Sequence, residues 1–132
     1  MTRGSCLCGE VRFNIEGDFE HFFICHCSYC RKDSGSAHAA NLFTHKSALT
    51  WLSGQDKVTD FLLKDSRHTK SFCSICGSAM PIVEADNDMC IVPAGCLDDE
   101  VPVKPEAHIF TASQAGWEKE LATTKRFPEL PE

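Results

Sequence analysis

Gly4-Ser5-Cys6-Leu7-Cys8-Gly9-Glu10-Val11-Arg12-Phe13-Asn14-Ile15 opens on two cysteines one residue apart and runs directly into alternating apolar and polar side chains. The alternation from Val11 to Ile15 has the two-residue period of a strand with one buried face. Two sulfurs so close in sequence can reach one ion about 2.3 Å away while the backbone between them turns tightly. A strand introduced by such a pair predicts a β fold stapled by metal.

Downstream, Gly17-Asp18 marks a turn, and the short apolar run His21-Phe22-Phe23-Ile24 delivers Cys25-His26-Cys27-Ser28-Tyr29-Cys30 from a strand end. Arg31 to Ser34 reads as one helical turn that Gly35 stops. Ala37–Phe43, Ala48–Leu52, Val58–Leu63 and His68–Phe72 read as short antiparallel strands, and Met80–Val83 and Met89–Val92 flank the polar connection Glu84-Ala85-Asp86-Asn87-Asp88. A brief strand at His108-Ile109-Phe110, a helical turn near Ser113–Trp117 and a loose or surface-lying tail over about 126–132 complete the chain. The expectation is a mainly all-β fold with short helical turns, in a single domain spanning 1–132.

Composition narrows the class further. Hydrophobic residues at 42% and charged residues at 24% describe a globular chain. A net charge of −6 argues against nucleic acid or anionic membranes as partners, because both require clustered cations. The N-terminal residues lack the apolar stretch of a signal peptide, and no apolar run reaches membrane-spanning length, so a reducing cytoplasm is the expected compartment.

That compartment governs how the nine cysteines are read. An odd number is a poor disulfide framework, and pairs such as Cys6 and Cys8 would close strained, tiny loops. Cys6/Cys8, Cys25/Cys27/Cys30 and Cys73/Cys76 together offer seven thiolates, one short of two closed tetrahedral sites. The count suggests one ion held by four sulfurs and another held by three with an open position, the distinction between structural and catalytic zinc. Spacing alone leaves the partition open, since Cys27/Cys30 with Cys73/Cys76 would also make an ordinary two-knuckle ribbon.

Three stretches carry a resemblance. Gly4 to Phe13, Cys25-His26-Cys27-Ser28-Tyr29-Cys30-Arg31-Lys32-Asp33-Ser34-Gly35-Ser36, and Phe72-Cys73-Ser74-Ile75-Cys76-Gly77, in this order, resemble the signature of the glutathione-dependent formaldehyde-activating enzyme family, with weaker similarity through Gly95-Cys96-Leu97-Asp98-Asp99 and His108 to Trp117. The resemblance implies a coiled, mostly antiparallel β fold. It assigns Cys6, Cys8, Cys73 and Cys76 to a structural zinc and Cys25, Cys27 and Cys30 to a second, catalytic zinc. It further implies a carbon–sulfur lyase that interconverts S-hydroxymethylglutathione with glutathione and formaldehyde.

Other residues admit plainer roles beside functional ones. Arg31 and Lys32 follow Cys30 and are candidates to attract the carboxylates of a peptide thiol, or they form a solvated turn. His26, between two thiols, is a candidate proton shuttle or ligand, although strand alternation turns it away from them. His21, His38, His45, His68 and His108 read as surface or packing residues, and Glu84, Asp86 and Asp88 as a solubilising hairpin tip. Cys90 reads as a buried small hydrophobe, Cys96 has no assigned role, and Trp51 and Trp117 read as core or pocket walls. Two other functions fit the same thiols: a non-catalytic, zinc-stabilised binding module, and a thiol redox or metal-buffering protein with a reversible Cys27–Cys30 disulfide.

Overall fold

Short strands separated by turn residues give a chain that folds as three small sheets. A computed structural model describes residues 1–131, and Glu132, the end of the expected loose tail, lies outside the described residues. The strands are β1 (Thr2–Ser5), β2 (Arg12–Ile15), β3 (His21–Cys25), β4 (Ala39–His45), β5 (Leu49–Ser53), β6 (Val58–Leu62), β7 (Thr69–Cys73), β8 (Ala79–Met80), β9 (Ile82–Val83), β10 (Met89–Pro93) and β11 (Ala107–Ile109). A single α-helix among the described residues, α1 (Ser28–Ser34), is joined by several one-turn 3₁₀ segments.

The sheets run β1-β2-β5, β11-β3-β4-β10-β9 and β6-β7-β8. Every pairing within them is antiparallel except that of β11 with β3, which is parallel and sets Ile109 opposite Cys25. Alternation places Phe13 and Ile15 of β2, Phe22 and Ile24 of β3, Leu42 of β4, Met80 of β8 and Val92 of β10 in one buried cluster, so all three sheets share a core.

Differences from the sequence reading have local causes. Thr2–Ser5 pairs with β2 although it carries no apolar alternation, because Gly4 lies under the Phe13 ring where any Cβ would collide with it. Met80–Val83, read as one strand, is two: Pro81 has no N–H to give the ladder and divides β8 from β9. From Lys125 to Pro131 the tail has no helix or strand and is exposed. No helix of the described residues is long and apolar enough to cross a membrane.

Candidate metal centres

The first sulfur cluster joins two tight turns that are distant in sequence. After β1, the Gly9 N–H donates to the Cys6 carbonyl at 3.1 Å, and the Cys6 N–H donates to the Val11 carbonyl at 3.0 Å, which presents both thiols at one end of the β1–β2 hairpin. After β7, the Gly77 N–H donates to the Cys73 carbonyl at 2.7 Å, and Gly77 accepts the left-handed φ of 79° that this turn demands. The Leu7 N–H donates to the Ser78 hydroxyl at 2.8 Å, so the turns are also linked directly.

The sulfur geometry supplies its own test of fit. Tetrahedral zinc with arms of about 2.3 Å sets its sulfurs about 3.8 Å apart. Cys6 and Cys8 Sγ lie 3.5 Å apart, and Cys8 and Cys73 Sγ 3.9 Å. All four ligand atoms of Cys6, Cys8, Cys73 and Cys76 fall within 4.8 Å of one another. Backbone and hydroxyl donors aim at the sulfurs as thiolates require: Val11 N–H reaches Cys6 Sγ at 3.3 Å, and the Ser78 hydroxyl, followed by the Ser78 N–H, holds the Cys76 thiol down to about 5. These residues can hold a metal ion.

The second cluster is local. Cys25 ends β3, Cys27 is the N-cap of α1, and Cys30 lies in the helix's first turn, with ligand atoms again within 4.8 Å of one another. A strand that delivers a residue into a helix cap needs no distant partner to gather these thiols. Burial alone would raise the Cys27 thiol, but the Cys30 N–H, donating to Cys27 Sγ at 3.3 Å, is among the contacts that hold it below its ordinary value. Burial, and then Cys25, pushes the Cys30 thiol up, opposite in direction to Cys27. Cys27 is half-buried, and Cys25 and Cys30 are buried.

Cys30 opens onto a cleft of about 300 Å³ whose wall includes Asp33, His38, Arg67, His68 and Lys70. Asp33 is held by His68 Nε2 at 2.7 Å and Lys70 Nζ at 2.9 Å, which fixes these three side chains on that wall. Arg67 is exposed there.

The remaining candidates fall in varied places. Arg31 Nη1 donates to the Ser113 carbonyl at 3.1 Å, which ties the helix to the C-terminal segment. Lys32 is exposed and borders a neighbouring groove with Tyr29, Phe61 and Lys70. Cys90 is fully buried in β10 and its thiol is pushed up to about 11 by burial. Cys96 is pushed up to about 12, also by burial, and neither thiol belongs to a sulfur cluster. Trp51 packs edge-on against Phe13 with ring centroids 6.0 Å apart, whereas Trp117 is exposed.

His26 joins neither group of thiols. Its side chain is fully buried and meets His108, His38 and Glu118 instead. The sequence reading scattered those histidines to surface and packing roles; no spacing signal unites positions 26, 38, 108 and 118. The convergence follows from the parallel β11 and from Phe110, whose left-handed φ of 56° turns the chain back so that Ser113 Oγ donates to the His26 carbonyl at 3.0 Å.

Residues 1–113 match the family model described as glutathione-dependent formaldehyde-activating enzyme, the greater part of the chain. The chain belongs to that family. A Halomonas elongata protein provisionally named a glutathione-dependent formaldehyde-activating enzyme is 30% identical over 128 residues, covering 89% of this chain and 79% of the relative. A crystal structure of a Rhodobacter sphaeroides protein, 22% identical, superposes with a TM-score of 0.63 over 80% of this chain and 98% of its own and shares the fold. Both sulfur clusters lie within the family-matched residues, whereas Glu118 lies beyond them.

Proposed function

We propose that the protein is a zinc-dependent carbon–sulfur lyase that makes or breaks the adduct between a small aldehyde and a glutathione-like thiol. The observation that carries this reading is the convergence of Cys25, Cys27 and Cys30 beside a cleft, within a chain whose other four clustered thiols complete a separate site. In this reading Cys6, Cys8, Cys73 and Cys76 would hold a structural ion, and Cys25, Cys27 and Cys30 would hold a second with fewer protein ligands than a closed site, leaving it free to bind substrate. Zinc bound there supplies a Lewis-acid position that favours a substrate thiol in its thiolate form.

The chain's own residues do the rest. In the synthetic direction a carbon–sulfur bond forms, the thiol S–H bond is lost, and the proton ends on the former aldehyde oxygen; the lyase direction reverses each change. Cys27, stabilised by the Cys30 N–H, is the thiol of the three most readily deprotonated, and an ion bound there would draw the protons from Cys25 and Cys30 as well. Arg67 and Lys70 on the cleft wall, with Lys32 at the adjoining groove, suit the carboxylates of a peptide thiol such as glutathione.

The test is exchange spectroscopy of labelled formaldehyde with glutathione, run beside zinc quantitation. The wild-type protein is expected to carry two zinc ions and to accelerate exchange. Cys27→Ser is expected to lose one zinc and at least about a hundredfold in rate while keeping its far-ultraviolet circular dichroism. No acceleration by two-zinc protein, or unchanged exchange in the variant, overturns the proposal.

A further inference from the structure

We infer that His26, His38 and Glu118 form a third metal site, one of nitrogen and oxygen donors that takes a divalent first-row transition ion independently of the thiolate clusters. One donor atom from each of the three residues lies within 4.8 Å of the others. Glu118 bridges the pair: Oε2 lies 2.9 Å from His26 Nδ1 without a hydrogen bond, and Oε1 is hydrogen-bonded to His38 Nδ1 at 3.2 Å, a contact that an ion would replace. The site is enclosed, with side-chain exposures of 0% for His26, 8% for Glu118 and 33% for His38.

The decisive atom is His26 Nδ1. It is buried and makes no hydrogen bond among the described residues, although a carboxylate oxygen stands 2.9 Å away. An N–H aimed at that oxygen would bond to it; Nδ1 points to one side. Two donors 2.9 Å apart both reach an ion about 2.1 Å from each when they subtend roughly 90° at it, and each then points beside the other instead of at it. A cation in that angle satisfies both atoms, whereas either neutral tautomer of His26 leaves Nδ1 unmatched.

The outer shell agrees. His26 Nε2 lies 2.8 Å from His108 Nδ1, so a proton on Nε2 has an acceptor and the lone pair is left on Nδ1. Such a bond from the far ring nitrogen is the usual orienting contact of a metal-binding histidine. Gln114 Nε2 donates to Glu118 Oε2 at 3.3 Å and steadies the carboxylate. Two imidazoles and a carboxylate suit zinc, cobalt, iron or nickel, and without sulfur they do not favour the soft ions that thiolates attract.

Cobalt(II) titrated under free-metal buffering into protein loaded with only two equivalents of zinc, which the thiolates take, reads the site directly. One equivalent is expected to bind with weak visible absorption and without the intense near-ultraviolet band of cobalt–thiolate coordination, so occupation of either sulfur cluster would announce itself. Glu118→Gln and His38→Ala are each expected to weaken this binding at least tenfold. Thermal melts certify folding, and His38, the most exposed donor, supplies a variant that leaves the core untouched. Wild-type protein that retains no more cobalt than both folded variants, or cobalt that carries the thiolate band, overturns the inference.

Discussion

The two sulfur clusters gather the same atom type in opposite ways. Cys6, Cys8, Cys73 and Cys76 come from turns that follow β1 and β7, so their meeting joins thiols 65 residues apart, as with Cys8 and Cys73. Cys25, Cys27 and Cys30 fall within six consecutive positions, which a strand end and a helix cap arrange without outside help. An ion in the first would constrain the path of half the chain, whereas an ion in the second would constrain almost nothing the local backbone has not already set. The lesson is that sequence separation between ligands, more than their chemistry, decides which site the fold depends on.

The sharpest way to break this comparison is Cys73→Ala. A zinc site of this kind contributes on the order of 10 kcal/mol to folding, comparable with a whole domain's net stability, so the variant is expected to lose its cooperative thermal transition. Survival of that transition within a few degrees of wild type would erase the contrast with Cys27→Ser.

A middle-sized effect sharpens it. Ser78→Ala removes the acceptor of the Leu7 N–H and the hydroxyl that keeps the Cys76 thiol near 5. Zinc ligands must be deprotonated, so raising this thiol makes acid release begin at higher pH, with affinity at neutral pH lower by about tenfold. Competition with a chelator, followed by zinc release on acidification, measures both changes.

The smallest effect lies outside the sulfurs. Arg3 donates to Asp99 through Nη2 and Nε at 2.8 and 3.2 Å and holds its carboxyl down to about 2. A carboxyl whose folded value is depressed stabilises above its unfolded value of 3.8, and that contribution is lost as the pH falls toward 2. Asp99→Asn should therefore be slightly less stable than wild type to urea above pH 4, the difference closing in stronger acid. An equal gap at every pH would show that shape, not charge, is what Asp99 supplies.

The parts legible in sequence were those with short-range grammar. Alternation marked β2, the apolar run ahead of Cys25 marked β3, and Gly35, with a left-handed φ of 68°, stops α1 where a helix-ending glycine belongs. Thiol pairs marked both clusters for the same reason, since each pair is a local turn. What escaped was non-local. β1 is polar and gains its place only by pairing with β2, and Pro81 breaks a run whose apolar pattern looks continuous. The meeting of His26, His38, His108 and Glu118 depends on a parallel strand and a sharp turn at Phe110, and no periodicity links those four positions.

The parallel pairing of β11 with β3 also imposes an order on synthesis. Once Cys76 has left the ribosome, every ligand of both sulfur clusters is available, yet the outer edge of β3 stays bare until Ala107–Ile109 arrives. During that interval a nascent chain displays open backbone donors and acceptors beside its reactive thiols, the kind of edge on which chains stick to one another. Truncation before residue 107 should thus yield material that binds metal and still aggregates.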